Sequence, residues 1–106
     1  MSGAKLMPVT VLDWRALRRN SLLGFVKIQL GTMEISDVSV NTSHGRVWAG
    51  LPSKPMIDRD GNAMRGDDGK IRYVPLMKWT SKESGDRFSE SVTAALEEKF
   101  PGSTTE

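Results

Sequence analysis

The stretch LLGFVKIQLGTMEISDVSVNTSHGRVWAGL, residues 22–51, decides the fold. In residues 22–30, Val26, Ile28 and Leu30 alternate with Phe25, Lys27 and Gln29. Strand side chains point to opposite faces in turn, so this segment reads as a strand with one apolar face and one face that mixes a ring with a cation. Residues 46–51 repeat the arrangement: Val47, Ala49 and Leu51 make the apolar face, Arg46 and Trp48 the other, and Gly50 adds no bulk. Between them Gly31-Thr32 supplies a tight hairpin turn into a third strand at 33–41, and Ser43-His44-Gly45 supplies the next turn. The apolar phase slips inside that third strand, because Met33 and Ile35 are odd-numbered whereas Val38 and Val40 are even. One extra residue near Ser36-Asp37, a β-bulge, restores a common face.

On the N-terminal side, residues 7–12 contain Val9, Thr10 and Val11 and read as a first strand ending near Asp13-Trp14. Residues 15–20, with Arg15, Arg18 and Arg19, read as a compact basic turn or connector. On the C-terminal side, residues 52–70 hold two prolines and three glycines among acidic and amide residues, the composition of a long polar loop or a floppy hairpin. Residues 71–79 return to strand composition, and Pro75, which has no N–H for a ladder, marks an edge strand. Thr80-Ser81-Lys82-Glu83 fits a capping box with Thr80 as N-cap and Glu83 at N3. Phe88, Val92, Ala95 and Leu96 then form one apolar helical stripe, with Gly85 one turn earlier on the same side. Pro101-Gly102 stops this helix near Phe100, and residues 101–106 read as a frayed tail.

The expected architecture is an α+β single domain over 1–106. A four- to five-stranded, mainly antiparallel meander sheet has its four-strand core at 7–51 and an edge strand at 71–79, with the polar loop 52–70 between them. One C-terminal helix at 81–100 packs on the sheet. A chain of 106 residues with 38% hydrophobic content supports one core. A core that small gives marginal stability, and the chain has no cysteine to reinforce it, so a homodimer is expected. The lack of cysteine also removes thiol catalysis, cysteine zinc sites and redox switching. Residues 1–6 lack the basic and apolar regions of a secretory leader, and no stretch is long enough to span a bilayer, so a cytoplasmic protein with no membrane association is expected.

The net charge of +2 is unevenly spread. Residues 1–55 hold seven Lys/Arg against three Asp/Glu, and residues 56–106 hold eight against ten, so the basic excess belongs to the sheet. That bias favours encounter with polyanions. Catalytic patterns are missing. The single histidine, His44, lies in a predicted turn with no second histidine or cysteine beside it. Asp58, Asp60 and Asn62 imitate the start of a calcium loop, but Ala63 stands where the turn glycine belongs and Gly69 where the bidentate glutamate belongs. Gly61, Gly66 and Gly69 lack a phosphate-loop context, and Asp37 has no catalytic partner in sequence and suits a local turn or bulge role. The reading is non-enzymatic, with no cofactor and no metal.

Residues 33–54, MEISDVSVNTSHGRVWAGLPSK, resemble the SpoVG family of small bacterial regulators. The matching positions are Asp37, Val38, Val40, Trp48, Leu51, Pro52, Ser53 and Lys54. Val9-Thr10, the 15–19 region and Ile28-Gln29-Leu30 match more weakly, which brings the resemblance to about half the chain. The chain departs from the family pattern at Pro55, where a second basic residue is common, and in its longer loop after Pro52. The resemblance implies a sheet with a C-terminal helix, strand-mediated dimers and DNA or RNA binding in gene regulation, with Lys54 carried over as a signature residue. The leading expectation is a nucleic-acid-binding regulatory protein with a preference for single strands. In it Phe25 and Trp48 stack bases, while Arg15, Arg18, Arg19, Lys27, Arg46 and Lys54 meet phosphates. The alternative is an adaptor whose aromatic face is a subunit or partner interface.

Overall fold

The computed structural model describes residues 6–105. Residues 1–5, on which the expectation of no leader rested, and Glu106 of the tail lie outside the described residues. The chain runs through β1 (Val9–Arg19), β2 (Leu22–Leu30), β3 (Met33–Ser43), β4 (Arg46–Gly50), β5 (Ser53–Pro55), β6 (Tyr73–Pro75) and α1 (Lys82–Lys99). The first four strands form an antiparallel meander in the order β1-β2-β3-β4, and β5 and β6 form a separate two-stranded sheet. The α+β class with one C-terminal helix on the sheet is as the alternation predicts.

The turns follow from the residues that make them. His44 and Gly45 have φ of 52° and 77°, the two positive values that a two-residue hairpin prefers because its twist then matches the strands. The bulge expected near Ser36-Asp37 is present: Val26 faces Val38 and Ile28 faces Ile35, so Lys27 alone opposes Ser36 and Asp37. Asp37 takes the left-handed conformation there (φ 57°), which an aspartate tolerates better than most residues. Ile35, Val38 and Val40 are buried as the bulge requires, while Met33, at the sheet end, is 52% exposed.

A second bulge was not legible in the alternation. Leu22 faces Asn41 and Gly24 faces Val40, so Leu23 is an extra residue in β2 and is buried with the core. Bulges bend a strand and increase its twist. Four lie in this meander, and α1 comes close in backbone to the two outer strands, β1 and β4, so the curled sheet wraps the helix. Phe88, Val92 and Leu96 then meet Val11, Val26, Ile28, Val38 and Val40 in a dry core, with Ala95 partly buried beside them. The helix also ties down backbone at the sheet margin. Ser89 Oγ accepts from Ala49 N–H at 2.8 Å, and Ser91 Oγ accepts from Met7 N–H at 2.7 Å.

Five expectations are corrected. Residues 15–19 are not a turn: β1 runs on through them and turns only at Asn20-Ser21, because Arg15, Ala16 and Arg19 find partners in Phe25, Gly24 and Leu22. The 52–70 segment is not an open loop. Two small hairpins, bridged at Ile57 with Ala63 and at Arg65 with Ile71, grow from the β5–β6 stem. At their junction Met56 N–H donates to Arg72 O, Arg72 N–H to Met64 O and Met64 N–H to Met56 O, all within 2.9 Å, closing a ring of backbone bonds. Asp58 Oδ1 accepts from the N–H groups of Asp60 and Asn62, so the residues that imitated a calcium loop shape a turn. Residues 71–79 give only the short β6, whose partner is β5, and not an edge strand of the main sheet. The helix N-cap is Ser81, whose Oγ accepts from Ser84 N–H, rather than Thr80.

Finally, the tail is a pinned turn. The Glu97 carboxylate accepts from Gly102 N–H at 2.9 Å, Thr104 N–H at 3.2 Å and Thr104 Oγ1 at 2.9 Å, and Ser103 is buried.

Candidate nucleic-acid interface

The helix covers one face of the meander and leaves the other open. Residues directly opposite in adjacent strands share a face. One register row on the open face runs Arg15, Phe25, Ser39, Gly50 across the four strands. The next runs Arg19, Leu22, Asn41, Trp48. Asp13 and Lys27 face each other on the other side of the first row. Arg46, paired with Ser43 two residues beyond the second row, shares this face at the hairpin end, so of the eight expected site residues Arg15, Arg19, Phe25, Lys27, Arg46 and Trp48 lie on this one surface.

Their surroundings differ. Trp48 is 41% exposed near the end of the β3–β4 hairpin, where it lines a shallow cleft with Ser43, His44 and Arg46. Phe25 is half-buried. The two rings are separated by β3, about 10 Å at ordinary strand spacing, so they are two platforms and not one stacked pair. Lys27 Nζ lies 3.5 Å from Glu34 Oε1, both well exposed, and an exposed pair of this kind is weak enough to yield to a phosphate.

Arg18 is engaged elsewhere. Its guanidinium donates to the carbonyls of Thr105 (2.5 Å), Gly102 (3.1 Å) and Ser103 (3.2 Å), which fastens the β1–β2 hairpin to the C-terminal turn. Lys54 sits in β5, off the main sheet, with Val74 as its strand partner. The stem that carries it does reach the open face. Phe25, Leu22 and Ser39 of the meander, with Leu51, Pro52, Ser53 and Tyr73 beyond it, border an open cleft of about 460 Å³. Arg15 and Asp37 stand at this cleft as well, Arg15 Nη2 lying 4.0 Å from Asp37 Oδ1.

Tyr73 and Asp37 belong to this surface and were not among the expected site residues. The signal for Tyr73 was an aromatic in a strand-like stretch, but its placement beside Phe25 needs the β5–β6 pairing, which brings together residues far apart in sequence. Among the described residues no group of three His, Asp or Glu side chains gathers in a way that could hold a metal ion. No helix among them is long and apolar enough to cross a membrane. The chain matches no family model, no curated protein and no solved structure.

Proposed function

We propose that this protein binds single-stranded nucleic acid through the open face of its meander sheet, as a non-catalytic regulator that works as a homodimer. One observation carries the reading: the face left bare by the helix holds Phe25 and Trp48 as separate ring platforms, with Arg15, Arg19 and Lys27 between and beside them and Arg46 at the hairpin end. A π-face accepts any base, and each stacked base contributes about 1–3 kcal/mol. Cations that track a backbone supply the rest and make binding salt-dependent. The SpoVG-like stretch at 33–54 points to the same class of partner. Arg18 is left out of the contact set because its donors hold the C-terminal turn.

The test is a titration with labelled single-stranded DNA, duplex DNA and single-stranded RNA at two salt concentrations, following tryptophan quenching and anisotropy together. Quenching by a single strand that weakens steeply with salt supports the proposal. Failure of all three polymers to bind at low salt overturns it.

A second reading has its own observation. Ile57, Tyr73, Leu76 and Met77 are large apolar side chains left well exposed on and next to the β5–β6 arm. Such a set suits a protein partner. Light scattering after size exclusion on the double variant Ile57→Ser with Met77→Ser separates the two readings, because a change of oligomeric state with single-strand binding intact assigns the arm to a subunit interface.

A further inference from the structure

We infer that the cleft between Phe25 and Tyr73 receives one unstacked base of the bound strand, and that the Asp37 carboxylate selects guanine there. The inference rests on the nucleic-acid reading and adds a base preference to it. The shape argues for a flat, partly apolar guest. About 460 Å³ is the size of a small-ligand site, open on one side. Phe25 of the sheet and Tyr73 of the stem supply rings, and Leu51 supplies apolar surface. Gly50 leaves room for Ser39, which borders the cleft: a Cβ there would stand 3.1 Å from Ser39 Oγ.

The chemistry of the rim argues for the base. An ionised carboxylate only accepts hydrogen bonds. Guanine offers two donors on one edge, N1–H and the N2 amino group, spaced to meet both oxygens. Cytosine and adenine each offer one amino group on the corresponding edge. Thymine and uracil offer N3–H flanked by two carbonyl oxygens, which repel a carboxylate. Asp37 is free to make such contacts, since the ion pair to Arg15 at 4.0 Å is its one polar contact within the described residues. The two side chains are 69% and 70% exposed, so that pair is weak. The bulge that carries Asp37 gives it its direction, which is a common use of a bulge near a functional site.

The test compares a labelled nine-nucleotide all-thymine DNA strand with the same strand carrying dG5, using wild-type protein and the variants Asp37→Asn and Tyr73→Ala at low salt. Asparagine keeps the bulge conformation, because it tolerates positive φ as well as aspartate does, and thermal melts check that both variants fold. The expected result is about tenfold tighter binding of the dG5 strand by the wild type, the size of one good bidentate contact to a base edge. Asp37→Asn should bind the dG5 and all-thymine strands equally, whatever the gain in overall affinity from an Arg15 freed of its acidic neighbour, and Tyr73→Ala should shrink the preference. Equal, salt-sensitive binding of both strands by the wild type overturns the inference and leaves the nucleic-acid reading standing. A preference that survives Asp37→Asn also overturns it. If neither strand binds, both readings fall.

Discussion

Gly24 shows how narrow a single position can be. A Cβ built there would lie 2.3 Å from Arg15 O, 2.9 Å from Ala16 Cα and 2.7 Å from Trp14 Cη2. Two of those atoms are backbone of the neighbouring strand and cannot step aside without disturbing the β1–β2 ladder. Gly24→Ala should therefore cost about 1–3 kcal/mol, the range for overpacking, and lower the melting temperature by roughly 5–20 °C for a domain of this size. An unchanged melting curve would show that β1 moves away freely. Trp48 is the opposite case. It is 41% exposed and belongs to no core cluster, so Trp48→Ala should change stability by less than about 1 kcal/mol. Under the proposed function the same variant should bind single-stranded DNA about 5- to 150-fold more weakly, the loss of one stacking ring. A urea melt and an anisotropy titration on one preparation test both halves, and an unfolded Trp48→Ala would place the ring in the core instead.

At the scale of elements, the C-terminal turn depends on one carboxylate and one guanidinium. Glu97 is held below its ordinary value of 4.5, first by the N–H of Gly102 and then by the hydroxyl and N–H of Thr104, all of which bond the charged form. Because its folded value lies below its unfolded one, Glu97 stabilises the turn at neutral pH. That contribution fades as the pH falls through the folded value, below the usual carboxylate range. Hydrogen exchange at the Gly102 and Thr104 amides should therefore be slow at pH 7 relative to an unstructured tail, and should lose its protection in acid. Glu97→Gln should remove the protection of one of the two amides already at pH 7, because its side chain keeps a single acceptor oxygen and turns an NH2 donor toward the other N–H. Protection of both amides that survives the substitution would mean that Arg18, bonding three carbonyls of the same turn, is sufficient alone. The helix itself obeys local rules: Ser81 caps it, Phe88, Val92 and Leu96 repeat at four-residue spacing on its buried side, and Pro101 follows its last turn.

The whole molecule is elongated, 47 × 28 × 25 Å, with a Cα radius of gyration of 14.9 Å. A compact chain of this length would measure about 13 Å. The β5–β6 arm accounts for the difference in kind, since its two strands approach mainly each other and no residue of 52–77 belongs to the core cluster. Replacing residues 56–72 with Asn-Gly should close the stem after the Pro55–Tyr73 pair with a favourable two-residue turn. The meander and helix should then melt within about 5 °C of the parent, since the change removes no core side chain. Light scattering on this variant adds a second readout: a parent dimer that becomes a monomer would assign the exposed Ile57 and Met64 to a subunit interface. If the shortened chain fails to fold, the arm is a structural part of the meander and not an appendage.

The sequence by itself determined the β2–β3–β4 meander, its turns, the Asp37 bulge and the apolar stripe of the helix. Each of these is set by neighbours within a few residues: a two-residue period, a glycine at a positive φ, a phase slip from odd to even. The tertiary structure decided what depends on distant partners. Residues 15–19 look like a basic connector until Phe25 and Gly24 offer them a ladder. Leu23 enters the core only because β2 bulges against Val40. Arg18, indistinguishable in sequence from Arg15 and Arg19, is taken out of the open face by carbonyls more than eighty residues away. The polar 52–70 segment folds because Met56, Met64 and Arg72 can bond one another in a ring, a pattern that leaves no trace in hydrophobic periodicity because it is made by backbone. For the same reason the cleft beside Phe25 was not legible: its far wall, Tyr73, arrives only when β6 pairs with β5.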